Sequence, residues 1–329
     1  MRFLYIIYQI CIGLPIFLVL TILTALTTML GCWLGNGHFW GYYPGKIWSQ
    51  LTCFLFLLPV KVEGHKNIDH KTSYVFVANH QGAFDIFLIY GFLGRNFKWM
   101  MKKSLRSIPF VGKACESAGF IFVDKSSPRK VYETIKRAEK ILQGGTSLVV
   151  FPEGRRTFTG RMNEFKKGAF LLADQLQLPV VPMSISGSFD ILPRTGKLLS
   201  WHPLKLTIHQ PIYPQGKGQE NQTMLMEESY QAIEKGLPEK YKGFNSLGIY
   251  YIDSKAKAEK LESKIENDCI IFETDHFSTY ALVAEKQEAT NTPSQPEQQK
   301  PTTDNPKTGD NSSLMMSVLV FVVSGTTLI

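Results

Sequence analysis

Cysteine is scarce in this sequence, and the cysteines that are present are not spaced as pairs. No two of the five form a Cys-x-x-Cys pair; they are Cys11, Cys32, Cys53, Cys115 and Cys269. This distribution argues against a disulfide framework or a zinc site and is typical of a reducing compartment. Three of the five lie in the apolar N-terminus, where cysteine usually acts as a small hydrophobic residue.

Charge is almost absent from the first 60 residues, which hold only Arg2 and Lys46. Residues 3–34 carry no charge at all, and a bilayer core needs only about 20 apolar residues of helix. We therefore expect one spanning helix there, kinked at Pro15. A cleaved signal peptide is the alternative, but the apolar run is too long for a typical signal core.

A second apolar stretch follows the first. Residues 38–48 are rich in Trp and Tyr, which suits a membrane interface, and residues 49–60 are apolar. This pattern favours a re-entrant or interfacial helix. Residues 1–60 are thus predicted to be a membrane anchor.

The charge of the chain changes sharply after the anchor. Residues 61–243 hold 27 basic and 16 acidic side chains, whereas residues 244–329 hold 7 and 12. A basic body favours contact with anionic lipid or with phosphorylated ligands. Nucleic acid is not expected as a partner, because the basic residues are scattered and no helix-turn-helix or zinc-finger spacing is present.

Short β-branched and aromatic runs alternate with helical patterns in the body. The predicted strands are residues 74–79, 97–101, 120–124, 147–154, 180–186 and 204–212, and the clearest helix covers residues 127–145. This alternation predicts an α/β fold with a mostly parallel central sheet flanked by helices. Ligand sites are expected at the carboxyl ends of such strands, where His80, Asp124 and Glu153 fall.

The segment VANHQGAFD, residues 77–85, places His80 five positions before Asp85. A neutral imidazole can take a proton from an alcohol if a carboxylate fixes its tautomer and stabilises the imidazolium. The turn between them, eased by Gly82, could fold Asp85 back onto His80. The alternative is a capping histidine and a first-turn aspartate at a helix start.

The nucleophile is expected to belong to the substrate. The sequence has no Gly-x-Ser-x-Gly, which argues against a serine hydrolase triad. Cys115 has no basic neighbour in the sequence and is interpreted as a buried helix residue.

Three further segments follow strand-like runs. FPEGRRTFTG, residues 151–160, offers a permissive glycine and two guanidiniums that suit a phosphate dianion, or else an exposed turn with a solvated arginine pair. In that reading Glu153 orients the guanidiniums or a ligand hydroxyl. GFIFVDK, residues 119–125, ends in an Asp-Lys pair that is read in isolation as a strand-end salt bridge, and VVPMSISG, residues 180–187, reads as core.

In this order the four segments resemble the glycerolipid acyltransferase family, in particular the 1-acylglycerol-3-phosphate acyltransferases. The blocks of that family read NHxxxxD, GxIFxDR, FPEGTR and VPV, and the resemblance covers residues 1 to about 243. It implies that His80 is the general base on the free hydroxyl of a lysolipid and that Asp85 orients it. It implies the following acceptor and acyl-donor contacts: Lys125, Glu153, Gly154, Arg155 and Arg156 for the phosphate, and Pro182 for the donor side.

Two positions depart from the family pattern. Lys125 stands where arginine is usual, which keeps the charge but loses the bidentate fork. Arg155 stands where a small Ser or Thr is frequent, so either Arg155 or Arg156 is the candidate phosphate ligand.

The resemblance implies direct attack of the lysophosphatidate hydroxyl on an acyl thioester of coenzyme A or acyl carrier protein. No bound cofactor, metal or acyl-enzyme is expected. Other acceptors stay open: glycerol 3-phosphate, dihydroxyacetone phosphate, a lysophospholipid or an ornithine lipid. Because acyl thioesters are cytosolic, we expect the body to lie on the cytoplasmic face of the inner cell membrane.

The C-terminal part is different in kind. Residues 244–286 read as a small α+β module, residues 287–313 as a disordered Pro/Thr linker and residues 314–329 as a short apolar segment. DHFSTYAL and NPKTGD resemble the ends of sortase-anchored Gram-positive surface proteins, which implies a gene fusion or a joined reading frame. The Asp275–His276 pair is interpreted as structural. A non-enzymatic surface protein is the competing class, but it leaves His80 and Asp85 unexplained.

Overall fold

The structure is a computed structural model that describes residues 2–69, 71–124, 126–143, 145–242, 246–252, 257–266, 269–272, 274 and 279–285. The chain divides into two compact units, Met1–Gly243 and Phe244–Ile329. Several sequence predictions lie outside the described residues: Lys125, the Asp275–His276 pair, the linker at 287–313 and the apolar segment at 314–329.

The first unit begins with helices. Its α-helices are α1 Arg2–Tyr8, α2 Leu14–Trp33, α3 Gly37–Trp40, α4 Tyr43–Leu55, α5 Phe84–Phe92, α6 Val111–Ser117, α7 Pro128–Gln143, α8 Gly168–Leu176, α9 Ser188–Ile191 and α10 Gln219–Lys235. A π-helical turn at Gln9–Gly13 joins α1 to α2, and short 3₁₀ turns lie at His65–Asn67, Lys103–Ser107 and Glu239–Tyr241.

Seven strands form the central sheet of this unit. They are β1 Val60–Glu63, β2 Val75–Ala78, β3 Phe97–Lys102, β4 Ile121–Val123, β5 Ser147–Val150, β6 Val180–Ser186 and β7 Leu204–Ile208, in the spatial order β1-β7-β6-β2-β5-β3-β4. Strands β2 to β6 are parallel to one another, while β7 is antiparallel to β6 and β1 is parallel to β7. The prediction of an α/β fold with a mostly parallel sheet is confirmed.

Helices cover both faces of the sheet, which explains the apolar strand sequences. All four residues of β2 and of β5 are buried, as expected for parallel strands with both faces covered. Phe76 belongs to one core cluster with α4 and α5, whereas Val75 and Val77 belong to the cluster formed with α7, α8 and α10. Because the strands run the same way, the carboxyl ends of β2 to β6 meet at one edge.

Two strand predictions ended too late. Residues 151–154 leave the sheet because Gly154 turns the chain at φ +74°, and the strand predicted to reach residue 212 stops at Ile208 before Pro211. The prediction missed β1, whose residues Val60–Glu63 straddle the predicted end of the anchor.

Helices α1 and α2 and the π-turn between them form one continuous run, Arg2–Trp33, that is long and apolar enough to be a candidate membrane span. The irregular turn precedes Pro15, whose ring removes a hydrogen-bond donor from the helix. In that turn the Gln9 side chain exchanges two 2.9 Å hydrogen bonds with the backbone of Leu199. At the other end Gly31 packs on Trp40, so both ends of the run contact the rest of the unit.

The second unit differs from its prediction as an α+β module. Its regular elements among the described residues are all strands: β8 Ser246–Ile252, β9 Ala258–Leu261, β10 Ser263–Glu266, β11 Cys269–Phe272 and β12 Thr279–Glu285. An α+β module requires a helix, and none occurs among the described residues of this unit; residues 258–261 pair antiparallel with β8 and residues 263–266 with β11. Tertiary pairing overrides the helix propensity of Ala, Glu and Lys there.

Candidate active site

His80 and Asp85 are in direct contact at the carboxyl end of β2. The Nδ1 atom of His80 lies 2.7 Å from Oδ2 of Asp85. The same carboxylate oxygen accepts hydrogen bonds from the backbone N–H groups of Gln81, at 2.7 Å, and Gly82, at 3.0 Å. Asp85 is fully buried in the first turn of α5, where a helix N-terminus favours a negative charge. Asp85 therefore does both things that the sequence offered as alternatives: it contacts His80, and it lies in the first turn of a helix.

This contact fixes the tautomer and the orientation of the His80 imidazole. A carboxylate only accepts, so Nδ1 of His80 carries the hydrogen in this bond and Nε2 of the neutral ring keeps a lone pair. The ring stacks on Phe151 with 4.0 Å between centroids and 9° between planes, and Phe151 in turn stacks on Trp99. Only 16% of the His80 side chain is exposed. The result is an imidazole held in one orientation, with the lone pair of the neutral ring on Nε2.

Gly82 is required here by a close approach and not by its backbone angle. A Cβ atom at this position would lie 2.5 Å from the backbone oxygen of Ser188 in α9. The turn that carries His80 therefore packs directly against the helix that follows β6. The sequence predicted an easier turn at Gly82, whereas the structure gives a packing reason.

The carboxylate of Glu153 is hydrogen-bonded to the backbone of His80. Its Oε1 accepts the backbone N–H of His80 at 2.6 Å, and its Oε2 accepts the backbone and side-chain N–H groups of Asn163 at 2.9 and 2.8 Å. It is 2% exposed, and burial raises the pKa of its carboxyl group to about 8. The structure thus gives Glu153 a positioning contact with the base, while its predicted role in substrate binding stays a prediction.

The loop from Phe151 to Asn163 holds the His80 turn at further points. The backbone N–H of Thr157 donates to the carbonyl of His80 at 2.9 Å, and Nε2 of Gln81 donates to the carbonyl of Gly160 at 2.9 Å. Gln81 is 1% exposed. The sequence analysis missed Gln81 and Asn163, because the contacts that give them a role join segments about 80 and 10 residues apart along the chain.

The predicted phosphate block is half-buried at the same edge of the sheet. Gly154, Arg155 and Arg156 are all partly exposed, and Gly154 adopts φ +74°. A Cβ on Gly154 would lie 3.4 Å from Nζ of Lys166, so this exposed ammonium lies beside the turn. Lys166 was not predicted; the only hint was a Lys-Lys-Gly triplet before α8.

Asp124 follows β4 and forms an ion pair with a lysine that follows the neighbouring strand β3. Nζ of Lys103, which follows β3, lies 2.7 Å from Oδ2 of Asp124. This hydrogen bond and those from Ser126 hold the pKa of the Asp124 carboxyl well below its usual range. The structure therefore adds Lys103 to the basic residues near this edge.

The remaining candidates lie inside the fold. Pro182 is in the buried interior of β6, opposite Val77 of β2, so its predicted place on the acyl-donor side stays a prediction. Cys115 lies in α6, where burial raises its pKa to about 11 and keeps the thiol protonated. Within the described ranges no three His, Cys, Asp or Glu side chains converge as metal ligands.

A histidine paired with a buried carboxylate thus lies at the carboxyl edge of a mostly parallel sheet, and basic side chains lie at the same edge. Residues 59–186 match the family model described as Acyltransferase, and this range contains His80, Asp85 and Glu153. Residues 59–186, less than half of the chain, are therefore similar to that family.

The chain is similar to several acyltransferases named for one substrate. It is 32% identical over 174 residues to the chloroplastic 1-acyl-sn-glycerol-3-phosphate acyltransferase LPAT1 of Arabidopsis thaliana, covering 52% of this chain and 48% of that one. It is 32% identical to the 1-acyl-sn-glycerol-3-phosphate acyltransferase of Saccharomyces cerevisiae, over 50% of this chain and 55% of that one. The chain thus spans about half the length of the curated relatives it matches.

A solved structure shares the fold. The 1-acyl-sn-glycerophosphate (LPA) acyltransferase PlsC from Thermotoga maritima superposes with a TM-score of 0.52 at 28% identity. The match covers 58% of this chain and 76% of that one.

Proposed function

We propose that this protein transfers an acyl chain from an acyl thioester to the free hydroxyl of 1-acylglycerol 3-phosphate, which yields phosphatidic acid. The observation that carries the proposal is the 2.7 Å contact between His80 Nδ1 and Asp85 Oδ2, which leaves Nε2 as a base at the edge of the sheet. The names of the relatives and of the solved structure support the choice of acceptor.

The proposed reaction is one direct displacement. Nε2 of His80 removes the proton from the acceptor hydroxyl while its oxygen attacks the thioester carbonyl carbon. Asp85 stabilises the imidazolium that forms. The C–S bond then breaks, and the imidazolium returns its proton to the departing thiolate. The protein itself supplies no nucleophile, and no bound cofactor or metal takes part in the proposal.

Basic side chains at the same edge are proposed to bind the acceptor phosphate. Gly154, Arg155 and Arg156 form the turn after β5, and the ammonium of Lys166 lies beside that turn. A guanidinium offers a planar fork of donors to phosphate oxygens, while an ammonium acts as a point charge. Lys125, outside the described residues, remains a candidate for the same role.

The N-terminal helix is proposed to hold the enzyme at its lipid substrate. The run Arg2–Trp33 is apolar, and Gln9 within it is hydrogen-bonded to Leu199 of the body, so membrane attachment keeps the body at the bilayer surface. We propose the cytoplasmic face of the inner cell membrane, where acyl-CoA and acyl carrier protein are found. Protease protection of residues 61–243 in spheroplasts tests this; cleavage from outside would overturn it.

The test of the activity is an assay of the purified full chain in detergent with lysophosphatidate and an acyl thioester. We expect turnover by the wild type and a loss of about 100-fold or more in His80→Ala, since general-base catalysis typically contributes that much. Near-normal turnover in His80→Ala would refute the proposed base. His65→Ala is the matched control, because His65 follows β1 and therefore lies at the opposite edge of the sheet.

An acceptor panel separates the alternatives. The same assay with glycerol 3-phosphate, dihydroxyacetone phosphate, lysophospholipids and an ornithine lipid precursor identifies the acceptor by its kcat/KM. Preference for any of these over lysophosphatidate would refute the acceptor while leaving the acyltransferase chemistry intact.

A further inference from the structure

The loop that holds His80 is itself held at Gly160. The carbonyl of Gly160 accepts the 2.9 Å hydrogen bond from Gln81, the residue next to the base. Gly160 adopts φ +83°, and a Cβ there would lie 3.0 Å from the ring of Phe189 and 3.2 Å from the ring of Tyr241. The position of the Gly160 carbonyl is thus set by two aromatic rings from elsewhere in the chain.

Tyr241 belongs to the last described segment of the first unit. Its side chain is 3% exposed, and its hydroxyl donates to Oδ2 of Asp190 in α9. Nζ of the neighbouring Lys240 lies 3.1 and 3.0 Å from the two oxygens of the same carboxylate. A single aspartate on the helix after β6 therefore fixes the end of the catalytic unit.

A third contact joins this segment to the same loop. Nη1 of Arg161 donates to the backbone carbonyl of Lys242 at 2.8 Å. Residues 240–242, which we call the C-terminal clasp, thus contact the loop after β5 at two consecutive positions, Gly160 and Arg161. None of the clasp residues lies at the His80–Asp85 pair, and none is part of the four sequence blocks.

We propose that Tyr241, anchored by Asp190, is a positioning residue for catalysis. It holds Gly160 so that Gln81 keeps the His80 turn in its reactive place. The proposal rests on the proposed function, since the rate it affects is that of acyl transfer. It assigns a catalytic purpose to the C-terminal end of the first unit, where the sequence shows only a helix and a Gly-Leu-Pro turn.

The test uses Tyr241→Phe in the full chain, because this change removes one hydroxyl and keeps the ring against Gly160. We expect kcat to fall about three- to tenfold with KM for both substrates unchanged, since small misplacements of a catalytic group lower the rate without weakening binding. Tyr213→Phe is the matched control: Tyr213 is 62% exposed, and its kcat should equal that of the wild type.

A double-mutant cycle tests whether Tyr241 acts on His80 through Gly160 and Gln81. Gln81→Leu breaks the other end of the same connection, so the combined variant should be less impaired than the product of the two single effects. Multiplicative effects would refute the route through Gly160. A lower melting temperature of Tyr241→Phe with unchanged kcat would reduce the tyrosine to a structural role and overturn the proposal.

The outcomes also separate this inference from the proposed function. A wild type without activity on any acyl acceptor refutes the function, whereas an active wild type with a fully active Tyr241→Phe refutes only the positioning role. If Tyr241→Phe does not fold, Asp190→Asn takes its place with the same readouts. Its amide keeps an acceptor for the hydroxyl but weakens the anchor by removing the charge that Lys240 contacts.

Discussion

The buried carboxyl group of Glu153 should make the stability of the protein depend on pH. Glu153 accepts hydrogen bonds from three N–H donors of uncharged groups, and burial raises the pKa of its carboxyl group from 4.5 to about 8. Replacing it by glutamine removes the titration while keeping the size of the side chain. The perturbation is therefore Glu153→Gln, compared with the wild type across pH.

The sign of the effect follows from where the proton is held. Between pH 4.5 and about 8 the folded state keeps the proton on Glu153 while the unfolded state has released it. The free energy of unfolding of the wild type therefore falls as pH rises through this window and stays low above it. At 1.36 kcal/mol per pKa unit the full effect is roughly 5 kcal/mol, of which about 2–3 kcal/mol falls between pH 6 and pH 8.

Melting temperatures in detergent measure this difference. A change of 1 kcal/mol shifts the melting temperature of a unit of this size by about 2–4 °C, so the wild type should lose about 5–10 °C relative to Glu153→Gln from pH 6 to pH 8. Placing an amide against Asn163 lowers the stability of Glu153→Gln by the same amount at every pH, so it does not affect how the melting temperature changes with pH. Glu164→Gln, on the exposed part of the same loop, should follow the wild type. Parallel curves for wild type and Glu153→Gln would refute the reasoning.

Three further changes test other contacts. Asp85→Asn should lower kcat about 10²- to 10⁴-fold with a folded protein, because the imidazolium loses its counter-charge; a loss below tenfold in the acyl-transfer assay would contradict this. Gly82→Ala should lower the free energy of unfolding of the protein by about 1–3 kcal/mol, because the new methyl group clashes with α9. Gly168→Ala should leave it unchanged, because the space around Gly168 is open, and thermal melting compares the two variants. Gln9→Leu should lower the free energy of unfolding by about 2 kcal/mol because the half-buried backbone of Leu199 loses both hydrogen-bond partners, and an unchanged melting temperature would count against that contact.

The position of the site was readable from local patterns. Apolar runs that stop at a polar residue predicted the strand ends, and the five-residue spacing of His80 and Asp85 made their contact one of two alternatives, beside a capping role. Both depend on neighbours in the chain: a strand direction, a short turn and a first helical turn. The order of the four segments then indicated the acyltransferase family.

The partners of Glu153, Asp124 and Gln81 were not readable in this way. The sequence showed Glu153 next to a glycine and two arginines and Asp124 next to Lys125, and it gave no sign that Glu153 bonds to the backbone of His80 or that Asp124 pairs with Lys103. These contacts join segments 73 and 21 residues apart, and they exist only because parallel strands bring their carboxyl ends to one edge.

The sequence by itself determined an apolar N-terminal run, a basic α/β body and the pairing of a histidine with an aspartate at a strand end, because each is encoded by residues close together in the chain. Only the tertiary structure decided what surrounds that base. Sheet order places the loop after β5 against β2, and the packing of the last residues of the unit on Gly160 and Asp190 completes the support. Contacts of this kind depend on which surfaces meet, and a linear sequence does not state that.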